Sequence, residues 1–234
     1  MSLRLYKVSK ISQVPPPLDN YTYINALSWF PNNKIVLHGQ TINLYELSPY
    51  YLKDENGYLF ENLWQGSKIY RHVTQQHQII SNKLIWDHPE ETHVDDDGTI
   101  FPAYWSWRQK LFSNPYAVRY PNGFKGKAQC LGLLMCFQHP TGEAEGSWKQ
   151  LSYIEARKRF YVPMYAKLVQ QTSAFSQLKQ LLQQGFNFQI ADIDVPNVAG
   201  GFIPTLELFQ RYINDASISF GHVWTLSMLL LGMM

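Results

Sequence analysis

Residues 60–70 carry the clearest periodic pattern in the chain. Drawn as a helix, Phe60, Leu63, Ser67 and Tyr70 share one face, while Glu61, Trp64, Gln65 and Lys68 fall on the neighbouring one at i, i+3, i+4, i+7 spacing. The second stripe aligns a carboxylate, an amide, an ammonium and a flat aromatic along about 10 Å of helix, at 1.5 Å of rise per residue. A solvated helix face and a binding wall both fit that arrangement. Upstream, the runs 34–38 and 41–45 flank Gly39-Gln40, a two-residue hairpin signal. Residues 1–20 contain Pro15-Pro16-Pro17 and little periodicity, so they read as an extended arm.

Further along, residues 104–111 have the pattern of a short helix stopped by Ser113-Asn114-Pro115. The apolar run 130–137 has the length of a buried strand. From Leu151, Ile154, Phe160, Tyr161, Met164, Tyr165, Leu168 and Val169 supply a helical core face, with Pro163 expected to break or kink it. Ser173 reads as the N-cap of the next helix and Gly185 as its stop. Residues 188–195 read as a strand ending in Asp192 and Asp194, and an apolar helix follows from Gly221.

Composition changes this picture little. At 234 residues, 45% hydrophobic and 16% charged, the chain suits one folded domain over 1–234. The 15% aromatic content fits a large core or a pocket gripping flat ligands. A net charge of +2 predicts no global attraction to nucleic acid, leaving only local patches: Lys125 and Lys127 with Arg119, and Arg157-Lys158-Arg159. Cys130 and Cys136 in an apolar run read as reduced buried thiols and favour a cytoplasmic setting. No signal-peptide core is legible, and the apolar run 223–234 falls short of the roughly 20 residues needed to span a bilayer, so no membrane partner is expected. His72, His77, His88 and His93 lie near Asp95-Asp96-Asp97, but their spacings match no compact ligand motif. A polar loop without metal is the reading.

Four blocks, in order, resemble the NADAR superfamily of NAD- and ADP-ribose-associated, glycosidase-like proteins. They are Leu47-Ser48-Pro49-Tyr50 with Phe60-Glu61-x-x-x-Gln65-x-x-Lys68; Arg157-x-x-x-x-Val162-Pro163-Met164-x-x-Lys167-Leu168-Val169-Gln170; Ile190-Ala191-Asp192-Ile193-Asp194; and Phe220-Gly221-His222 leading into the last helix. Asn62 stands where that family has His, Asp192 where it has Glu, and no Trp-Gly follows Asp194. Order and spacing agree over roughly residues 45–70 and 150–230, so 71–149 reads as an insertion.

The resemblance implies an α+β, predominantly helical, single NADAR-like domain with a small N-terminal β-hairpin and an inserted loop-rich middle region. It implies an enzyme that hydrolyses the N-glycosidic bond of an ADP-ribosylated base, nucleotide or related metabolite, free or carried on nucleic acid, with no cofactor. Such a bond breaks through an oxocarbenium-like sugar, which a carboxylate stabilises. Glu61 and Asp192 are the expected catalytic carboxylates. Trp64, Gln65, Lys68, Arg119, Lys167, Asp194 and His222 are the expected substrate-binding residues. A non-catalytic protein that binds ADP-ribose or a nucleotide is the alternative. The sequence leaves the oligomeric state open.

Overall fold

The computed structural model describes residues 2–9, 16, 18–28, 30–73, 86, 88–118, 130–135 and 149–234. Arg119, Lys125, Lys127, His77 and Cys136 lie outside the described residues. The strands are β1 (Leu3–Lys7), β2 (Tyr21–Asn25), β3 (Lys34–Leu37), β4 (Gln40–Asn43), β5 (Lys68–Tyr70), β6 (Cys130–Met135), β7 (Lys149–Leu151) and β8 (Asn187–Asp192). The helices are α1 (Phe60–Gly66), α2 (Pro102–Phe112), α3 (Tyr153–Ala156), α4 (Val162–Val169), α5 (Ser173–Gln183), α6 (Leu206–Ile213) and α7 (His222–Leu230). This is a mixed fold of helices and strands, and no described helix is long and apolar enough to cross a membrane. Contacts divide the chain into two compact units, Met1–Leu52 with Val162–Met234, and Lys53–Tyr161.

The first unit is built on a parallel sheet in the order β1-β8-β2. Its central strand is covered on both faces, as the middle strand of a parallel sheet is: Phe188, Ile190 and Ala191 are fully buried, and Gln189 and Asp192 are buried with them. Leu3 pairs with Phe188, Leu5 with Ile190 and Lys7 with Asp192, so the segment expected to be an extended arm is partly a sheet strand. Alternation puts Asp192 on the face of Phe188 and Ile190, while Ala191 joins Val8 and Leu27 on the other. Helix α7 packs against α4, α5 and α6 and is buried along its whole length.

Two local readings shift by one residue. The β3–β4 turn is His38-Gly39, with φ of 49° and 76°, rather than Gly39-Gln40. A two-residue hairpin of this hand needs both central residues at positive φ, and Gly39 fills the second position. The N-cap of α5 is Thr172, whose hydroxyl accepts from Phe175 N, while Ser173 Oγ donates to Glu46. Gly185, at φ 95°, ends α5 as expected.

In the second unit, α1 packs on α2, and β5, β6 and β7 form an antiparallel sheet. The approach of α1 to α2 depends on Gly66, where a Cβ would lie 2.8 Å from the Phe112 ring. A capping box between Ser152 and Glu155 opens α3. It runs into a π-helical turn, Arg157–Tyr161, just ahead of Pro163. Proline has no N–H to return to the carbonyl four residues back, and the wider turn sits where that bond is missing.

His93 belongs to the packing of this unit. It is fully buried among the rings of Tyr70, Trp86, Tyr104 and Trp107, and its Nδ1 accepts from Tyr70 N. Burial lowers its pKa to about 3. His72 lies 3.9 Å from Glu91 at the surface. Among the described residues no group of three or more His, Cys, Asp or Glu side chains is arranged to hold a metal.

Candidate functional site

The striped segment is not a solvated face. Glu61, Trp64, Gln65 and Lys68 are 6%, 5%, 8% and 8% exposed. Helix α1 ends at Gly66 and Ser67 caps it, so Lys68 is the first residue of β5 rather than a fourth position on the helical stripe. It still joins the same group. Gln65 Nε2 donates to Glu61 Oε1 at 2.8 Å, and Lys68 Nζ donates to Gln65 Oε1 at 2.7 Å. One amide thus uses its donor toward an anion and its acceptor toward a cation, which fixes its orientation.

Aromatic rings surround this relay. Trp64 stacks on Phe160 with planes 11° apart and meets Tyr153 and Tyr161 edge-on. Lys68 Nζ lies 5.5 Å from the Trp64 ring and 5.9 Å from the Tyr153 ring. Arg157, 2% exposed, places its guanidinium carbon 4.8 Å over the same Tyr153. Tyr153 and Arg157 were not among the expected site residues, although their i, i+4 spacing puts them on one helix face. The arrangement fixes one carboxylate in a low-dielectric setting with two cations and flat aromatic walls nearby.

Asn62, next to Glu61, is fully buried. Its Nδ2 donates to the carbonyls of Asn114 and Tyr116, and its Oδ1 accepts from Val118 N. At this position the side chain clamps the 114–118 backbone.

In the first unit, Asp192, Asp194 and His222 come together at the carboxyl end of β8. Ligands of open parallel sheets bind at that end of the strands. Asp192 Oδ1 accepts from Asp194 N at 2.8 Å, and Oδ2 lies 3.6 Å from His222 Nδ1. Asp192 and His222 are each 3% exposed. Burial lowers the His222 pKa to about 4, offset in part by the Ala26 backbone, so the imidazole is neutral at pH 7. His222 Nε2 has no hydrogen-bond partner among the described residues. Gly221 admits Asp194 to the start of α7, because a Cβ there would lie 2.7 Å from Asp194 Cβ. Tyr165, a further residue the sequence reading left in the core, faces His222 at 5.6 Å between ring centroids and donates to the Leu47 carbonyl. Burial and then the Asp192 charge hold its hydroxyl protonated.

Lys167 is exposed on α4. No known protein family matches the chain, and neither a curated protein nor a solved structure does.

Proposed function

We propose that this protein is a hydrolase of N-glycosidic bonds, acting on an ADP-ribosylated base, a nucleotide or a related metabolite. The observation that carries the reading is the buried relay from Glu61 through Gln65 to Lys68. Breaking a glycosidic bond develops positive charge on the sugar, and a carboxylate held in a dry, preorganised setting stabilises that charge better than one in water. Gln65 holds Glu61, and Lys68 and Arg157 supply positive charge suited to phosphate. Trp64 and Tyr153 offer flat surfaces suited to a base. The order of the four sequence blocks supports the same class. Of the two carboxylates expected from the sequence, the reading rests on Glu61. Incubation of the purified protein with ADP-ribosylated guanosine and a panel of nucleotides should release ADP-ribose or free base, and Glu61→Gln should abolish release.

A second reading, ligand binding without turnover, is favoured by Asn62. Its three hydrogen bonds to the backbone of 114–118 leave no proton donor where the resembling family has histidine. Calorimetric binding of ADP-ribose with no hydrolysis across the panel would select it.

A further inference from the structure

We propose that the face of the β1-β8-β2 sheet carrying Arg4, Gln189 and Asn187 binds a small hydroxy- or aminocarboxylate. The site lies wholly in the first unit and owes nothing to the Glu61 reading. Gln189 sits on β8, paired with Arg4 on β1 and with Tyr23 on β2, and Asn187 lies two residues before it on the same face. Each of these three side chains has a buried polar atom without a hydrogen-bond partner among the described residues: Arg4 Nε, Gln189 Nε2 and Asn187 Oδ1. Gln189 is only 2% exposed. A buried amide nitrogen in that state costs stability until an acceptor reaches it.

The chemistry of the three atoms defines what would satisfy them. Arg4 Nε and Gln189 Nε2 are donors on neighbouring strands, so they call for an acceptor between them. Arg4 donates through Nη2 to the Gly201 carbonyl at 3.1 Å and meets no carboxylate among the described residues, so a negative charge is wanted there. One guanidinium and one amide present planar N–H groups, and a single positive charge matches a carboxylate better than a phosphate dianion. Asn187 uses its Nδ2 on the Asn20 carbonyl at 3.2 Å, which leaves Oδ1 as an acceptor for a hydroxyl or ammonium on the same ligand. Two residues of strand, about 6.6 Å, separate Asn187 from Gln189. A two-carbon acid with a hydrogen bond at each end covers that span. Tyr6 and Tyr23 pack on Val8, Leu27 and Ala191 and close the apolar end of the row. Arg4, Asn187 and Tyr21 are half-buried, and the ligand reaches Gln189 from their side.

The test is nitrogen-15 NMR of the native protein, following the Arg4 Nε–H and Gln189 side-chain amide resonances at constant ionic strength. Glycolate, glycine, acetate and inorganic phosphate are the probes. Glycolate or glycine should shift both resonances saturably, and acetate should bind more weakly because it offers Asn187 no donor. Arg4→Lys, which keeps the charge without Nε, should weaken binding about tenfold or more, as expected for losing a hydrogen bond to a charged group. Gln189→Met, with its fold checked by circular dichroism, should lose the saturable response. A response that survives unchanged in Gln189→Met puts the ligand elsewhere and overturns the proposal. Preference for inorganic phosphate over all three acids overturns the ligand class. If the Gln189 amide is turned so that its oxygen accepts from Arg4 Nε, none of the probes moves either resonance, and the proposal falls.

Discussion

Gln65 Nε2 donates to Glu61 Oε1 at 2.8 Å, and both side chains are more than nine-tenths buried. Removing that amide takes one hydrogen bond from each of two charged groups, since its oxygen also accepts from Lys68. Gln65→Leu keeps much of the volume but leaves a buried carboxylate and ammonium without their bridge. It should cost about 1–3 kcal/mol of stability, the range for buried polar groups that lose a hydrogen-bond partner. Urea unfolding read by tryptophan fluorescence checks this, and an unchanged midpoint would show that the relay contributes little to folding.

Asn62 gives a second prediction on the same helix. Asn62→Ala removes the two hydrogen bonds donated to the Asn114 and Tyr116 carbonyls and the one accepted from Val118 N. The expected loss is about 1–3 kcal/mol, the cost of leaving a buried polar group unsatisfied. Hydrogen exchange at Val118 should accelerate in the variant.

At the start of α7 the constraint is steric. Gly221→Ala places a methyl carbon 2.7 Å from Asp194 Cβ, a contact that no rotamer relieves. Overpacking of this kind costs about 1–3 kcal/mol, so the melting temperature should fall. If it does not, the turn from Asp192 to Asp194 is free to move.

Acid should destabilise the protein through its two buried histidines. His93 and His222 have folded pKa values of about 3 and about 4, against 6.5 for an ordinary imidazole. Below pH 6.5 the unfolded chain binds protons that the folded chain refuses, so stability rises with pH and is lost as pH falls from 6.5 toward those values. Each histidine should contribute on the order of a few kcal/mol to that loss. His93→Phe, which keeps a ring in the aromatic box, should flatten the pH dependence of the urea midpoint over this window. An equally steep profile in the variant would show that His93 is protonated while folded.

Much of the local structure was legible because it is local. The hairpin, α1, α2, β6, α5 and β8 follow from turn residues and apolar period, and the one-residue errors at His38-Gly39 and Thr172 come from turn and cap chemistry that neighbouring residues could equally have supplied. The pairing of Leu3–Lys7 with β8 was not legible, since its partner lies more than 180 residues away and its own segment is broken by prolines. For the candidate residues, the grouping of Glu61, Gln65 and Lys68 followed from spacing even though Lys68 lies beyond the helix. Their burial did not, because a Glu and a Lys at helical spacing are ordinarily solvated. The roles of Tyr153, Arg157 and Tyr165 depend on packing that no spacing in the chain reports.

The central claim is that Glu61 serves glycosidic-bond cleavage, and single-turnover release of ADP-ribose or free base by native and Glu61→Gln proteins tests it most directly. Glutamine preserves the shape and a carbonyl acceptor for Gln65 while removing the charge. Native protein should release product, and the variant, folded and still able to bind the substrate, should release at least about 100-fold less. Release at the native rate by Glu61→Gln would contradict the account.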